Sequence, residues 1–292
     1  QAFESHLQEW DEKIAAYTEE VHQQTQADYQ AALAKWNQDK QGNRPRDPKD
    51  LRKSPHRPSS IFNGVLHPTI GYDIRGAIWY QGESNAGRAK TYRLLMTLLI
   101  ETWRERWGQG DFPFYWVQLA DVGDESAEMT TSSWPALRDA QTKTLGVPNT
   151  GQAVIIDAGE GRDIHPRDKQ TVANRLARWA LARDYGFEQI HCQSPTYQSM
   201  EIKDNKILLT FDHVSDGGLY TFDVDTPLGF SIAGSDKVFK VANAELIGRN
   251  QIEVDSDEVA DPKHVSYGWS KNPVVNVYDK DGLPLTPFRT DQ

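Results

Sequence analysis

Apolar residues in the first forty positions recur at helical steps. Trp10, Ile14, Tyr17 and Val21 lie four, three and four apart, and Tyr29, Leu33 and Trp36 continue the series. The stretch lacks Pro and Gly and is rich in Ala, Gln, Glu and Lys. It predicts a helical hairpin or one long helix, a solvated appendage without chemistry of its own. Pro45, Pro48, Pro55 and Pro58, set among Arg, Lys and Asp, then mark an irregular connector.

The pattern changes at Ile74. Ile74–Tyr80, Phe114–Leu119 and Ala153–Asp157 are short apolar runs that read as buried strands, while Lys90–Trp107 and Trp134–Leu145 read as helices. Lys169–Tyr185 follows the third run with Val172, Leu176, Trp179 and Ala180 at helical spacing. Strands alternating with helices predict an α/β fold, a parallel sheet covered on both faces. Beyond Ile190 the helical spacing stops. Ile207–Phe211, Phe230–Ile232, Val238–Val241, Gln251–Val254 and Val274–Tyr278 are strand-like runs separated by Gly, Asp and Pro, with a turn expected at Gly217-Gly218. This predicts an antiparallel sheet or sandwich. The expected organisation is a helical segment and connector over 1–57, an α/β domain over 58–189 and a β-rich domain over 190–292.

Charge and composition narrow the chemistry. The 292 residues carry 32 Lys and Arg against 42 Asp and Glu, a formal net charge of −10. Such a chain has no general attraction for nucleic acid or for anionic membrane, and it has no apolar run of membrane-spanning length. With one cysteine, Cys192, it cannot form an internal disulfide. The first twenty residues lack the apolar stretch of a secretory signal. His6, His22, His56, His67, His191, His213 and His264 lack metal-ligand spacing, and no phosphate-binding glycine motif occurs. No cofactor, no metal, no nucleic-acid partner and no membrane insertion are expected.

Reactive groups of an α/β protein collect beyond the carboxyl ends of its parallel strands. Two polar turns fall there. Gln81-Gly82-Glu83-Ser84-Asn85 follows the first strand, and Gly82–Ala86 partly mimics the G-x-S-x-G nucleophile turn. The same residues also suit an ordinary strand-to-helix turn with Ser84 or Asn85 as a helix cap. Asp157–Pro166 follows the third strand. His165 can accept a proton there if a carboxylate holds its other ring nitrogen, with Asp163, Asp157 and Glu160 in local reach. Asp163 could equally cap the turn.

Three segments together resemble the sialate O-acetylesterases, serine esterases of the SGNH class: Pro58–Gly64, Gly76–Ala86 with its Trp-Tyr-Gln-Gly-Glu-Ser-Asn run, and Asp163–Gln170. Pro113-Phe114 with Val117–Leu119, Trp134–Gln141 and Gly282–Thr290 support the likeness. The resemblance implies a three-layer SGNH-hydrolase-like sheet, a serine attacking an acetyl ester and a histidine acting as base. His165 matches the catalytic histidine. Asp163 is the preferred carboxylate partner, although the family spacing of Asp-x-x-His falls on Arg162, so Asp157 stays in reserve. Gln81 is expected to donate to the oxyanion, with Glu83 ordering the loop and Ser84 and Asn85 supporting it. The implied substrate is an acetylated sialic acid or another acetylated sugar, in a secreted or periplasmic setting. A carboxylate on that sugar could be held by Arg88, Arg138 or Arg162.

The family's nucleophile block, a Gly-Gln-Ser-Asn-like sequence after the first strand, does not occur before Gln81, nor does the Gly-Gly-Thr-like block that follows it. The chain thus resembles the carboxyl-terminal portion of a longer esterase. An amino-terminal polypeptide of the same precursor is expected to supply the serine and to accompany this chain. Two other readings are a self-sufficient hydrolase using Ser84, Asp157 and His165, and a carbohydrate-binding protein with a degenerate esterase domain and aromatic sugar contacts.

Overall fold

The computed structural model describes residues 2–291, and the chain divides into two compact units between Tyr72 and Asp73. The first unit holds two helices, α1 over Ala2–Ala16 and α2 over Glu19–Asp39. They are separate because Thr18 leaves the helical conformation and caps α2, its hydroxyl accepting the Val21 amide at 3.3 Å. Arg52 pairs with Glu19 at 2.8 Å and Arg57 with Asp11 at 3.2 Å. None of residues 4–72 is fully buried, so surface charge and partial packing organise this unit rather than a closed core.

In the second unit a parallel sheet is built from β1 (Ala77–Trp79), β2 (Phe114–Val117) and β3 (Thr150–Ala153), in that spatial order. Helices α3 (Ala89–Trp107), α4 (Ser133–Lys143) and α5 (Lys169–Asp184) cover its faces. Side chains along a strand alternate between faces, and β2 shows the consequence. Phe114 and Trp116 join Met96 and Ile100 of α3 and Leu137 of α4, whereas Tyr115 and Val117 join Val172, Leu176 and Trp179 of α5.

The third strand begins earlier than its apolar run predicts. Val154, Ile155 and Ile156 are almost fully buried but lie past the ladder, where the chain turns and the Ala158 amide reaches the Ile155 carbonyl. The ladder itself uses Thr150-Gly151-Gln152-Ala153, whose polar look has a packing cause. The Trp116 indole donates to Gln152 Oε1 at 3.0 Å, and a Cβ on Gly151 would stand 2.4 Å from the Trp179 ring.

The carboxyl-terminal region carries two four-stranded antiparallel sheets. One orders Asn243–Ile247, Gln251–Asp255, Lys206–Asp212 and Thr196–Lys203; the other orders Phe288–Arg289, His264–Tyr267, Phe230–Ala233 and Lys240–Val241. Ile207, Leu209, Phe211, Phe230, Ile252 and Val265 fill a shared core. The run Val274–Tyr278 is not one strand. Asn272–Pro273 pairs with Glu125–Ser126, Val277–Asp279 pairs with Leu219–Thr221, and Asn276 lies between the two. Polar alternation hid Thr196–Lys203 and His264–Tyr267 from the apolar pattern.

Arg138 on α4 fastens this region to the α/β sheet. It is fully buried, and its guanidinium donates to the carbonyls of Leu119 (2.9 Å), Ala120 (2.8 Å), Ser270 (2.8 Å) and Lys271 (2.9 Å). Burial pulls its pKa down to about 10, against the attraction of Asp121. Arg138 is therefore unavailable as a clamp for a substrate carboxylate. Arg138→Leu leaves the Leu119 and Ser270 carbonyls without their donor, while those of Ala120 and Lys271 keep the Trp134 indole and the Val122 amide. It is expected to lower stability by about 2–5 kcal/mol, read from urea unfolding of the purified chain.

Candidate active site

The loop after β1 is held from beneath. Gly82 adopts φ 155°, a conformation unfavourable for other residues, and a Cβ there would meet Leu119 and Leu137 at 3.1 Å and Gln141 Nε2 at 3.2 Å. Its carbonyl accepts the Asn85 amide at 2.8 Å, starting a short 3₁₀ turn over Glu83–Arg88. Gln81 projects from this turn in a fixed pose. Its Nε2 donates to Asn85 Oδ1 at 2.7 Å, and the Tyr92 hydroxyl contacts its Oε1 at 3.2 Å and its carbonyl at 3.1 Å. Burial of Tyr92 pushes its hydroxyl pKa up, so the phenol stays protonated as a donor.

Gln141 joins this loop to the next. From α4 its Nε2 donates to the carbonyls of Gln81 (3.3 Å) and Val117 (3.4 Å), while its Oε1 accepts the Leu119 amide at 2.9 Å. It is completely buried. The loop after β2 is in turn tied to the loop after β3. The Gly159 amide donates to Asp121 Oδ1 at 2.7 Å, and the Gly123 amide to the Gly161 carbonyl at 2.8 Å. Burial raises the pKa of Asp121, partly countered by the Gly159 amide.

On the last of these loops Asp163 and His165 meet. Asp163 Oδ1 accepts the His165 amide at 2.9 Å and lies 3.3 Å from His165 Nδ1. The amide contact first, then the ring contact, holds the Asp163 carboxyl below its ordinary pKa. Turn capping and imidazole contact are thus performed by one oxygen. The imidazole is 85% exposed, and with Nδ1–H turned to the carboxylate its Nε2 is a free acceptor facing solvent. Glu160 shapes the loop, accepting the Arg167 amide at 3.0 Å. Lys169, at the start of α5, places its Nζ 4.7 Å above the Tyr80 ring, linking this loop's far end to the residue before Gln81.

Residues 63–180, which contain both loops, match the family model described as carbohydrate esterase, sialic acid-specific acetylesterase. This α/β region is similar to that acetylesterase family. The human sialate O-acetylesterase is 35% identical over 185 residues, 57% of this chain and 35% of that protein; the mouse enzyme is 38% identical over 179 residues, 54% and 32% respectively. A solved carbohydrate acetylesterase from Xanthomonas citri superposes with a TM-score of 0.72 at 38% identity, covering 86% of this chain and 56% of its own. The chain therefore spans about a third of the length of these curated relatives and about half of that structure.

Within the family region the expected residues take unequal places. Asp163 contacts His165, but Asp157, the reserve partner, is engaged elsewhere. Arg175 donates to both its oxygens, at 2.5 and 2.8 Å. Glu83 makes no side-chain hydrogen bond or ion pair among the described residues, so Tyr92, Asn85 and Gln141 do the ordering expected of it. Ser84 is exposed on the 3₁₀ turn and has no contact with His165 among the described residues. The cap of α3 is Arg88, without a side-chain cap bond, so neither Ser84 nor Asn85 caps that helix. Gln141 and Tyr92 escaped the sequence reading, although Gln141 stands in the Trp134–Gln141 segment that carries the family likeness.

Elsewhere in this unit a cavity of about 860 Å³ is bordered by Arg183, His191, Cys192, His213, Ser215 and Asp281. His191 Nε2 lies 2.9 Å from the buried Asp279 carboxylate and 3.1 Å from the His213 carbonyl, and the Asp279 contact raises its pKa. Burial lowers that of His213.

Two outcomes follow from these arrangements. Gly82→Ala should destabilise the chain by about 1–3 kcal/mol, measured by chemical denaturation, because both its backbone angle and its neighbours oppose a Cβ. The His191 contribution to stability is complete below pH 6.5 and lost as pH rises through its raised pKa, whereas His213 disfavours the fold as pH falls below 6.5. His191→Gln should therefore remove a decline in urea midpoint on the alkaline side, scanned from about pH 6 to 8.

Proposed function

We propose that this chain supplies the general base, its orienting carboxylate and one oxyanion donor of a serine esterase that releases acetyl groups from sugars, sialic acids among them. The observation that carries the reading is the Asp163–His165 contact on the same sheet edge as the fixed Gln81 amide, inside the region matched to an acetylesterase family.

The reaction assigns each group a step. A serine hydroxyl attacks the acetyl carbonyl as His165 Nε2 takes its proton, and the Asp163 carboxylate stabilises the imidazolium through Nδ1. The second N–H of Gln81, the one not given to Asn85, holds the negative oxygen of the tetrahedral intermediate. His165 then protonates the departing sugar oxygen. In the second half-reaction it accepts a proton from the water that cleaves the acetyl-serine. Glu83, Ser84 and Asn85 frame the donor loop and take no proton.

The serine belongs to an amino-terminal segment of the same precursor, placed beside β1. Two features support this. Among the described strands β1 pairs with β2 alone, and Ile78 on it is 73% exposed. On α3, Leu94, Leu95 and Leu98 are also exposed, at 61%, 48% and 48%. An unpaired edge strand with exposed apolar neighbours is a surface that stable proteins cover. The helical part of the first unit would be an insertion in that longer enzyme, and the setting, following the family resemblance, secreted or periplasmic.

In the complete assembly, His165→Ala should abolish hydrolysis of 4-nitrophenyl acetate, and Gln81→Ala should reduce turnover by about 10²–10³. A serine-directed fluorophosphonate should label the amino-terminal segment. Labelling of Ser84, or near-normal turnover without His165, would overturn the assignment.

A further inference from the structure

Loop 222–228 is built round one buried amide. Asn276 Nδ2 donates to the carbonyls of Phe222 (3.3 Å), Val224 (3.2 Å) and Thr226 (3.0 Å), and its Oδ1 accepts the Leu228 amide at 2.8 Å. The Phe222 amide returns to the Asn276 carbonyl at 2.8 Å. Asn276 itself is 6% exposed. One side chain thus fixes a loop of seven residues, which is what a positioned recognition element requires and a mere connection does not.

What the loop displays is unsuited to a core. Phe222 is 63% exposed and Val224 46%. Asp223, held at φ 71°, and Asp225 are both exposed, and neither carboxylate has a hydrogen-bond or ion-pair partner among the described residues. Beneath, the Phe222 ring meets Tyr278 edge-on, with centroids 6.4 Å apart at 71°, and Tyr278 meets Tyr220 at 6.0 Å. Lys280 covers Tyr220 at 4.4 Å, leaving Phe222 as the open aromatic of the cluster. Burial, and then the nearby carboxylate of Asp157 at the root of the loop that carries Asp163 and His165, raise the Tyr278 hydroxyl pKa. The aromatic cluster therefore lies within electrostatic reach of the root of that loop.

We infer that the Phe222 loop is a subsite for an uncharged sugar ring. The apolar C–H face of a pyranose or furanose lies against an aromatic face, and its hydroxyls donate to acceptors at the rim, here two free carboxylates beside one open phenyl ring. The same two carboxylates, on a chain of net charge −10, oppose a carboxylated sugar. The inference deepens the sugar-esterase reading by naming the class of ring bound, and it rests on that reading for its link to catalysis.

Binding can be read without turnover. The chain, labelled with ¹⁵N, is titrated with xylotetraose, cellotetraose and maltotetraose, and separately with sialyllactose and a lysine decapeptide. At least one uncharged tetrasaccharide should shift the amides of residues 221–228 and bind more tightly than sialyllactose. Phe222→Ala should weaken that binding about tenfold, Phe222→Trp should retain it, and Asp223→Asn with Asp225→Asn should weaken it. The inference fails if no uncharged tetrasaccharide binds, if Phe222→Ala binds as the parent does, or if only the lysine peptide or self-association perturbs the loop. Sugar binding that persists in a complete assembly without esterase activity would defeat the proposed function alone. Esterase activity without sugar binding at this loop would defeat the subsite alone.

Discussion

A buried guanidinium holding four carbonyls is the constraint on which the second unit depends. A charge moved out of water is strongly disfavoured unless every donor finds an acceptor. All three guanidinium nitrogens of Arg138 find acceptors because Leu119 and Ala120 leave the carboxyl end of β2 while Ser270 and Lys271 arrive from the β-rich region. The loop after β2 cannot shift without unmaking these bonds. It sits between the two loops that carry Gln81 and His165, so its rigidity passes to both. The lowered pKa of Arg138, still about 10, leaves the group charged at neutral pH.

From that fixed middle loop, short polar links and close backbone contacts run outward. Gln141 spans from Gln81 to Leu119, and Asp121 reaches the Gly159 amide. A Cβ on Gly159 would fall 2.0 Å from the Asp121 carbonyl oxygen, so the two loops approach as closely as backbone permits. The His165 ring, by contrast, is restrained by a single carboxylate and is otherwise open to solvent. Under the proposed roles, a fixed Gln81 amide and an open His165 ring suit their tasks. An oxyanion donor acts by being in place before charge develops, while a base that serves two half-reactions has to reach two different oxygens.

The layout of the α/β region was legible because its apolar runs were long and its helices amphipathic. Both loops could be placed at a sheet edge from the strand-helix alternation alone. What stayed hidden was polar and long-range. Thr150–Ala153 gives no apolar signal because Gly151 and Gln152 are chosen for Trp179 and Trp116, not for the strand. Val154–Ile156 gives a strong one and yet lies beyond the ladder. Arg138 reads as a candidate clamp for a substrate carboxylate until its four acceptors, two of them more than 130 positions away, are seen. Asp163 and Asp157 are both in local sequence reach of His165, the first preferred and the second in reserve, and the claim of Arg175 on Asp157 separates them further. The Phe222 loop had no sequence signature, since its organiser, Asn276, is fifty residues distant.

Charge at this edge bears on the kind of sugar that can approach. Of the arginines considered for a substrate carboxylate, Arg138 is consumed by carbonyls. Arg175, near the same edge, is consumed by Asp157, and Arg167 stands 3.8 Å from Glu160. Arg88 and Arg162 remain, both exposed and without an ion-pair partner among the described residues. Each sits on a separate one of the two polar loops, and a solvated arginine contributes little attraction unless its fork closes on both oxygens of a carboxylate. Asp163 at the base and Asp223 and Asp225 on the Phe222 loop press the other way. Under the proposed subsite, an anionic sugar needs Arg88 or Arg162 to offset that repulsion, whereas an uncharged ring meets no such restriction.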